Sequence, residues 1–272
     1  MTAARKEQGS KDGGQLRLSR AAFDLPPYEG PVRSYVICST ARSGSTLLGE
    51  LLRGTGHLGV PSEYFQNPHV IVPMGRRLGA LSADGVLDMS AYLAALRRLR
   101  TTANGCFGVK THLHQVRPVL HLDVVRRLLL ESRIVWIRRR DVLGQAISDE
   151  LANQTQEWTR LPGTTRRPRT AIFSHDAVLA RLRRILVENE EWNAIFTVNG
   201  LAPITVEYEA LLADCDGICA AVARYLGLDP PPSFSLDAVP IVQQRDAINE
   251  TWRARFLDTY HLPAARPAPK GR

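Results

Sequence analysis

The stretch that decides the fold is Tyr35-Val36-Ile37-Cys38-Ser39-Thr40-Ala41-Arg42-Ser43-Gly44-Ser45-Thr46-Leu47-Leu48. It opens with an apolar, partly β-branched run that predicts a short buried strand. A small polar turn follows, and leucines then recur at helical spacing until Gly54 and Gly56 stop the helix. At such a junction backbone N–H groups converge, and the helix dipole favours an anion. The loop therefore predicts a phosphate or sulfate site with four side chains available to it: Arg42, Ser43, Ser45 and Thr46.

This loop differs from the commonest phosphate-binding loop. A Walker A sequence has an earlier glycine and a lysine after its last one, whereas Ser45 follows Gly44 here. A P-loop kinase would need that lysine and an aspartate after a strand to hold Mg²⁺, and we find neither. An ordinary turn without a ligand is the simpler alternative, because short Ser/Gly turns are common.

Length allows one sizeable α/β core, or two small domains at most, and the composition is that of a soluble globular protein. The 272 residues are 44% hydrophobic and 23% charged, with a net charge of +8. The positive charge favours an anionic ligand, and it would also suit a nucleic-acid-binding protein. The aromatic residues are not interleaved with the basic ones as a base-stacking surface requires, so we expect no nucleic-acid partner.

Four cysteines and the absence of long apolar runs limit the cellular setting. Cys215 and Cys219 have no second ligand pair, so we predict free thiols and no metal. No apolar leader segment and no run of about 18 apolar residues is seen, which predicts a cytoplasmic protein without membrane insertion.

The pattern of elements predicts a mostly parallel central sheet flanked by helices on both faces. Predicted strands cover 35–38, 107–113, 133–137 and 203–209, and predicted helices cover 45–55, 74–100, 141–158, 176–199, 214–226 and 249–260. We expect a mobile tail over 1–30, ordering only near Phe23 to Tyr28, a single domain over 31–262 and a loose tail over 263–272. The basic loop 159–170 has no periodicity and is either disordered or a lid.

Glu63 is a candidate general base. It follows the helix-breaking Pro61 and stands next to Tyr64 and Phe65. Apolar surroundings disfavour the ionised form, so we expect a raised pKa in the range useful to a base. The alternative is a solvated loop glutamate.

Lys110 and His112 form a second candidate pair. They lie two apart in a predicted strand and therefore on one face of it. One can meet developing negative charge while the other takes a proton, which makes His112 an alternative base. A solvated strand end is the simpler interpretation.

Arg138, Arg139 and Arg140 follow a predicted buried strand, at the edge where α/β sheets bind ligands. Ser148 follows Arg139 by nine positions and lies in the next predicted helix. A charge run is often only a solvated surface, but with this serine the arrangement favours phosphate binding.

These motifs resemble the Stf0-type, trehalose sulfotransferase-like branch of the sulfotransferases that use 3′-phosphoadenosine-5′-phosphosulfate (PAPS). Matching blocks are A-R-S-G-S-T-L-L at 41–48, P-x-E-Y-F at 61–65, D-V-x-x-Q-A-x-S at 141–148, the Tyr-Glu pair at 208–209 and Q-x-D at 244–246. The family's usual arginine before the last block is Gln243 here. The resemblance implies the P-loop-like sulfotransferase fold, no metal, and in-line sulfuryl transfer to a hydroxyl of a sugar, glycolipid or hydroxylated natural product. Because relatives can dimerise, it also allows a homodimer.

The resemblance also implies roles for individual residues. Glu63 would be the base. The alternative is His112, which matches the histidine base of the cytosolic sulfotransferases. Arg42 and Lys110 would meet the charge of the sulfuryl group. PAPS would be bound by Arg42, Ser43, Gly44, Ser45, Thr46, Arg139, Ser148, Tyr208, Gln244 and Asp246, with Arg139 and Ser148 at the 3′-phosphate and Tyr208 at the adenine.

Overall fold

The computed structural model describes residues 21–158, 170–229, 234 and 247–260. Its sheet has five strands in the order β2-β3-β1-β4-β5, and every pairing is parallel. The strands are β1 (Arg33–Ser39), β2 (Ser62–Glu63), β3 (Cys106–His112), β4 (Arg133–Arg138) and β5 (Ile204–Glu207). The predicted α/β fold with a mostly parallel sheet is confirmed. Gln244, Asp246, residues 159–169 of the predicted loop, residues 1–20 of the predicted N-terminal tail and the whole predicted C-terminal tail lie outside the described residues.

Ten α-helices occur in the described ranges. They are α1 (Ser45–Gly54), α2 (Pro68–Arg77), α3 (Met89–Arg100), α4 (Leu113–Val116), α5 (Asp123–Glu131), α6 (Val142–Thr155), α7 (His175–Val198), α8 (Tyr208–Ala213), α9 (Cys215–Tyr225) and α10 (Ala247–Thr259).

Side chains alternate between the two faces of the sheet, and helices bury both faces. In β1, Val36 and Cys38 belong to one core cluster, together with apolar residues of α2, α3, α5 and α7. Tyr35 and Ile37 face the other way, into a second cluster with α1, α8 and α9. A third cluster joins α6, α7 and α10. The helices thus pack on both faces of the sheet, and the carboxyl edge of the strands is where a ligand would bind.

The predicted helix over 74–100 is wrong. Helix α2 ends at Arg77, and α3 begins only at Met89. Between them Gly79 takes a φ of 68°, which ends a helix, and the side chain of Asp88 caps α3 by accepting from Ser90 N at 2.9 Å. The apolar spacing runs through both helices, so periodicity alone hid the break.

The start of the described chain packs onto the end of α3. Leu25 N donates to Leu99 O at 2.8 Å and Tyr28 N to Arg98 O at 2.9 Å, so the carbonyls at this helix end gain partners. Asp24 also pairs with the buried Arg100 at 2.8 Å. These contacts lie in the segment of the N-terminal tail for which the sequence predicts local order.

Candidate functional site

The candidate residues meet along the carboxyl edge of the sheet. Crossing the edge in strand order, they are Glu63 at the end of β2, Lys110 and His112 at the end of β3, the loop 39–46 after β1, Arg139 after β4 and Tyr208 after β5. This is the edge at which open α/β sheets bind ligands. Two groups result, one on each side of the loop.

Side chains of two helices donate hydrogen bonds to the loop 39–46. Gln145 of α6 donates from Nε2 to Thr40 Oγ1 at 2.8 Å and to Ala41 O at 2.6 Å. Trp192 of α7 donates from Nε1 to Ser39 O at 3.0 Å. Gly44 has a φ of 91° and occupies the N-cap position of α1, where it has no side chain to cap the helix. The loop therefore presents amide groups of a helix N-terminus to the carboxyl edge.

Arg42 points from this loop towards α6. Its Nε donates to Ser148 Oγ at 3.0 Å, and its Nη1 donates to Trp158 O. Burial lowers the pKa of Arg42 to about 10, opposed by the nearby carboxylate of Asp149 and helped by the charge of Arg139. Arg42 stays protonated at neutral pH. The structure thus joins Ser148 to Arg42, whereas the sequence paired it with Arg139.

Tyr208 and Arg139 complete what we call the arginine cluster: Arg42, Ser43, Gly44, Arg139, Ser148 and Tyr208. The guanidinium of Arg139 lies over the Tyr208 ring, 5.2 Å from its centre. The same ring covers Gly44 so closely that a Cβ there would lie 2.3 Å from Tyr208 Cδ2. Tyr208 begins helix α8 rather than lying in a strand over 203–209, so this part of the sequence prediction is corrected.

Glu209 fixes the turn that carries Arg139. Its carboxylate accepts from the backbone N–H groups of Arg140 and Asp141, both at 3.1 Å. The side chain of Asp141 in turn caps α6 by accepting from Gly144 N at 3.0 Å. These hydrogen bonds fix the turn that carries Arg139 relative to the start of helix α6, which carries Ser148.

The second group is what we call the carboxylate cluster: Glu63, Gln66, Lys110, His112 and Gln115. Lys110 Nζ lies 2.6 Å from Glu63 Oε1 and donates to Thr46 Oγ1 at 2.8 Å. Lys110 thus links the base candidate to the loop. Gln115 Nε2 donates to Glu63 Oε2 at 2.8 Å, and Gln66 donates to the same oxygen.

The predicted rise in the pKa of Glu63 is wrong. Burial does act to raise it, but the positive charge of Lys110, the neighbouring His112 and the hydrogen bonds from Lys110 and Gln115 together outweigh burial. The pKa of Glu63 is held well below its usual range, and the group is a carboxylate at neutral pH.

His112 stands beside this carboxylate. Its Nε2 lies 3.8 Å from Glu63 Oε1, and its Nδ1 is 2.9 Å from Ser39 Oγ. Burial lowers the pKa of His112 to about 4, an effect that Lys110 reinforces and Glu63 opposes. The imidazole is therefore neutral at pH 7. The two base candidates therefore lie side by side, 3.8 Å apart.

Sequence reasoning missed the residues that hold these groups: Gln66, Gln115, Gln145, Trp192 and Glu209. Gln145 and Glu209 do lie inside the matched motif blocks. The motif matches marked both positions, but the sequence could not show what the side chains do, because their hydrogen-bond partners are distant in sequence.

Among the residues that the structure describes, no group of three His, Cys, Asp or Glu side chains could hold a metal ion. No helix within the same ranges is both long and apolar enough to span a membrane.

Comparison with known proteins identifies the family. The family model described as Stf0 sulphotransferase matches residues 34–259. A trehalose 2-sulfotransferase of Mycobacterium tuberculosis is 31% identical over 267 residues, covering 86% of this chain and 97% of that protein. A trehalose 2-sulfotransferase of Mycolicibacterium smegmatis is 28% identical over 255 residues, covering 82% and 94%. A sulfotransferase domain of the Synechococcus PCC 7002 olefin synthase matches with a TM-score of 0.42 and 15% identity, covering 88% of this chain and 92% of that one. The family model spans most of the chain, and the family predicted from the motifs is confirmed: this chain belongs to the Stf0 sulphotransferase family and is a sulfotransferase.

Proposed function

We propose that this enzyme transfers the sulfuryl group of PAPS to a hydroxyl of a sugar, glycolipid or hydroxylated natural product. The observation that carries the proposal is the joining of both clusters by one loop. Arg42 contacts Ser148 on one side of it, and Thr46 contacts Lys110 and, through it, Glu63 on the other. An anion site and a carboxylate base thus stand on either side of the position where a sulfuryl group would lie.

The residues present fit an anionic nucleotide. Ser43 Oγ and Arg139 Nε are buried and make no hydrogen bond within the described ranges. Buried polar atoms of this kind are costly unless a partner is supplied, and anions are suitable partners for both. Gly44 leaves room for the Tyr208 ring, whose face can stack on a base. Arg139 would hold a 3′-phosphate, as the resemblance implies, and the loop would hold the 5′-phosphosulfate.

PAPS supplies an activated sulfuryl group, so the protein's task is positioning and charge neutralisation. Arg42, Lys110 and Thr46 would meet the charge that develops on sulfuryl and bridging oxygens. Glu63 is placed to take the proton of the acceptor hydroxyl. His112, whose imidazole is neutral at pH 7, is the second candidate for this step.

The acceptor class follows from the relatives. Both are named for trehalose, and we propose a carbohydrate hydroxyl with trehalose as the first compound to test. Location in the cytoplasm and a homodimer stay predictions of the sequence.

The test combines binding with transfer. Calorimetry should show binding of PAPS and of adenosine 3′,5′-bisphosphate, with ATP and AMP much weaker. Incubation with radiolabelled PAPS and a panel of sugars, glycolipids and hydroxylated natural products should then yield a labelled acceptor. Equal affinity for adenosine 3′,5′-bisphosphate and AMP would overturn the choice of donor, and tight ATP binding would favour a kinase.

A further inference from the structure

Lys110 serves two partners at once. Its ammonium contacts Thr46 Oγ1 at 2.8 Å and Glu63 Oε1 at 2.6 Å, and its side chain is only 6% exposed. Thr46 belongs to the anion-binding loop, whereas Glu63 belongs to the carboxylate cluster. A single buried cation therefore stands between the donor loop and the base.

The two oxygens of Glu63 are held differently, and Gln115 shows how. The backbone N–H of His112 donates to Gln115 Oε1 at 3.0 Å. Since an N–H can only donate, this contact fixes the orientation of the amide and turns Nε2 towards Glu63 Oε2. Gln66 donates to Oε2 as well. Oε2 is thus occupied by neutral donors from the protein, while Oε1 is bound by the shared cation.

We propose that Oε1 of Glu63 is the atom that accepts the proton of the acceptor hydroxyl, and that Lys110 occupies Oε1 until a sulfuryl donor is bound. Gln115 acts as a positioning residue that keeps Oε2 in place when Lys110 leaves. The inference rests on the proposed function and deepens it, because it gives the reaction an order: the donor binds, and then the base is released.

The physical argument is competition for one ammonium. A sulfuryl group next to Thr46 brings anionic oxygens within reach of Lys110, in a buried site where charge-assisted contacts are strong. As Lys110 turns to them, Oε1 loses its partner, and burial then favours protonation. In the transfer the acceptor O–H bond breaks and its proton goes to Oε1. An S–O bond forms to the acceptor oxygen, and the S–O bond to the 5′-phosphate breaks.

The test compares two nucleotides that differ by the sulfuryl group. Adenosine 3′,5′-bisphosphate and PAPS carry similar charge, so the ratio of their affinities isolates contacts made to the sulfuryl group. In Glu63→Gln the ammonium is no longer held by a carboxylate. Calorimetry should therefore show PAPS affinity rising on the order of tenfold relative to bisphosphate affinity, the worth of one charge-assisted hydrogen bond.

A double-mutant cycle separates this mechanism from a general charge effect. In a Lys110→Met background, Glu63→Gln should leave the PAPS-to-bisphosphate ratio unchanged. Glu50→Gln is the matched control, because it removes a carboxylate ion-paired with Arg53 at 2.6 Å on α1 and should not move the ratio. Bisphosphate binding in every variant verifies that the site is folded.

Three results would overturn the inference. The ratio could stay unchanged in Glu63→Gln, it could rise equally in the Lys110→Met background, or it could rise equally in Glu50→Gln. PAPS failing to bind the unmodified protein would overturn the proposed function, and the inference with it. PAPS binding with an unchanged ratio would overturn the inference alone.

Discussion

The arginine cluster and the carboxylate cluster lie on opposite sides of one loop, and their hydrogen bonding differs. Ser43 Oγ and Arg139 Nε of the arginine cluster are buried without a hydrogen bond among the residues described. In the carboxylate cluster both oxygens of Glu63 and the ammonium of Lys110 have protein partners. The first group has donors that a ligand can satisfy, and the second has already satisfied its own.

This difference assigns the two clusters to different steps. A ligand in the arginine cluster would give partners to two donors that have none among the described residues, so this cluster should control affinity for the nucleotide. In the proposed mechanism the carboxylate cluster exchanges one partner for another before chemistry, so its residues should control turnover. Each substitution below tests that separation, in order of expected effect.

Glu63→Gln should have the largest effect. It keeps the shape of the side chain but removes the proton acceptor, so kcat should fall by about 10²–10⁴. The affinity for adenosine 3′,5′-bisphosphate should stay close to that of the unmodified enzyme. Steady-state kinetics and calorimetry check the two halves, and a comparable loss of bisphosphate affinity would contradict the separation.

Arg139→Ala should act on affinity. A charge-assisted contact to the 3′-phosphate contributes about 1.5–3 kcal/mol, so bisphosphate should bind about tenfold more weakly or worse, with AMP nearly unaffected. The control is Arg140→Ala, because Arg140 is adjacent and its side chain is 69% exposed. If both variants weakened bisphosphate equally, only the general positive charge would matter.

Gln115→Leu should lower kcat roughly tenfold and change its pH dependence. The hydrogen bond from Gln115 helps to hold the pKa of Glu63 down, so its loss raises that pKa. The carboxylate is then protonated at higher pH, and the acid limb of the profile moves up by about one pH unit.

The control for that variant is Gln154→Leu. Gln154 makes the same type of contacts elsewhere, donating to Glu150 Oε1 at 2.9 Å and accepting from Ile172 N at 2.8 Å. An acid limb that moves in Gln154→Leu, or one that stays in place in Gln115→Leu, would show that Gln115 is only structural.

His112→Asn should have the smallest effect, a loss in kcat below about tenfold. His112 is neutral at pH 7 because its pKa is about 4, so the neutral asparagine preserves the local charge. The acid limb of the kcat profile should persist in His112→Asn and vanish in Glu63→Gln. The reverse ranking of the two variants would make His112 the base.

Much of the fold was predictable because it depends on local patterns. The continuous apolar run Tyr35 to Cys38 marked a buried strand, and the buried strand before Arg138 was equally clear. The helix over 74–100 was predicted wrongly, since the cap at Asp88 and the turn at Gly79 do not interrupt the apolar spacing.

For the site, the sequence by itself determined which chemical groups stand at the carboxyl ends of the strands. Strand, loop and helix follow from periodicity and turn chemistry over a few residues, so Arg42, Lys110 and Arg139 could be assigned to that edge before any contact was known.

Only the tertiary structure decided which groups face one another. Lys110 and Thr46 are 64 residues apart in sequence, and Arg42 and Ser148 are 106 apart. The local sequence placed Glu63 beside aromatic residues and predicted a raised pKa. The charge of Lys110, delivered by the neighbouring strand, reversed that prediction. A pKa sums the burial and charges surrounding a group in space, and those neighbours are set by strand order rather than by distance along the chain.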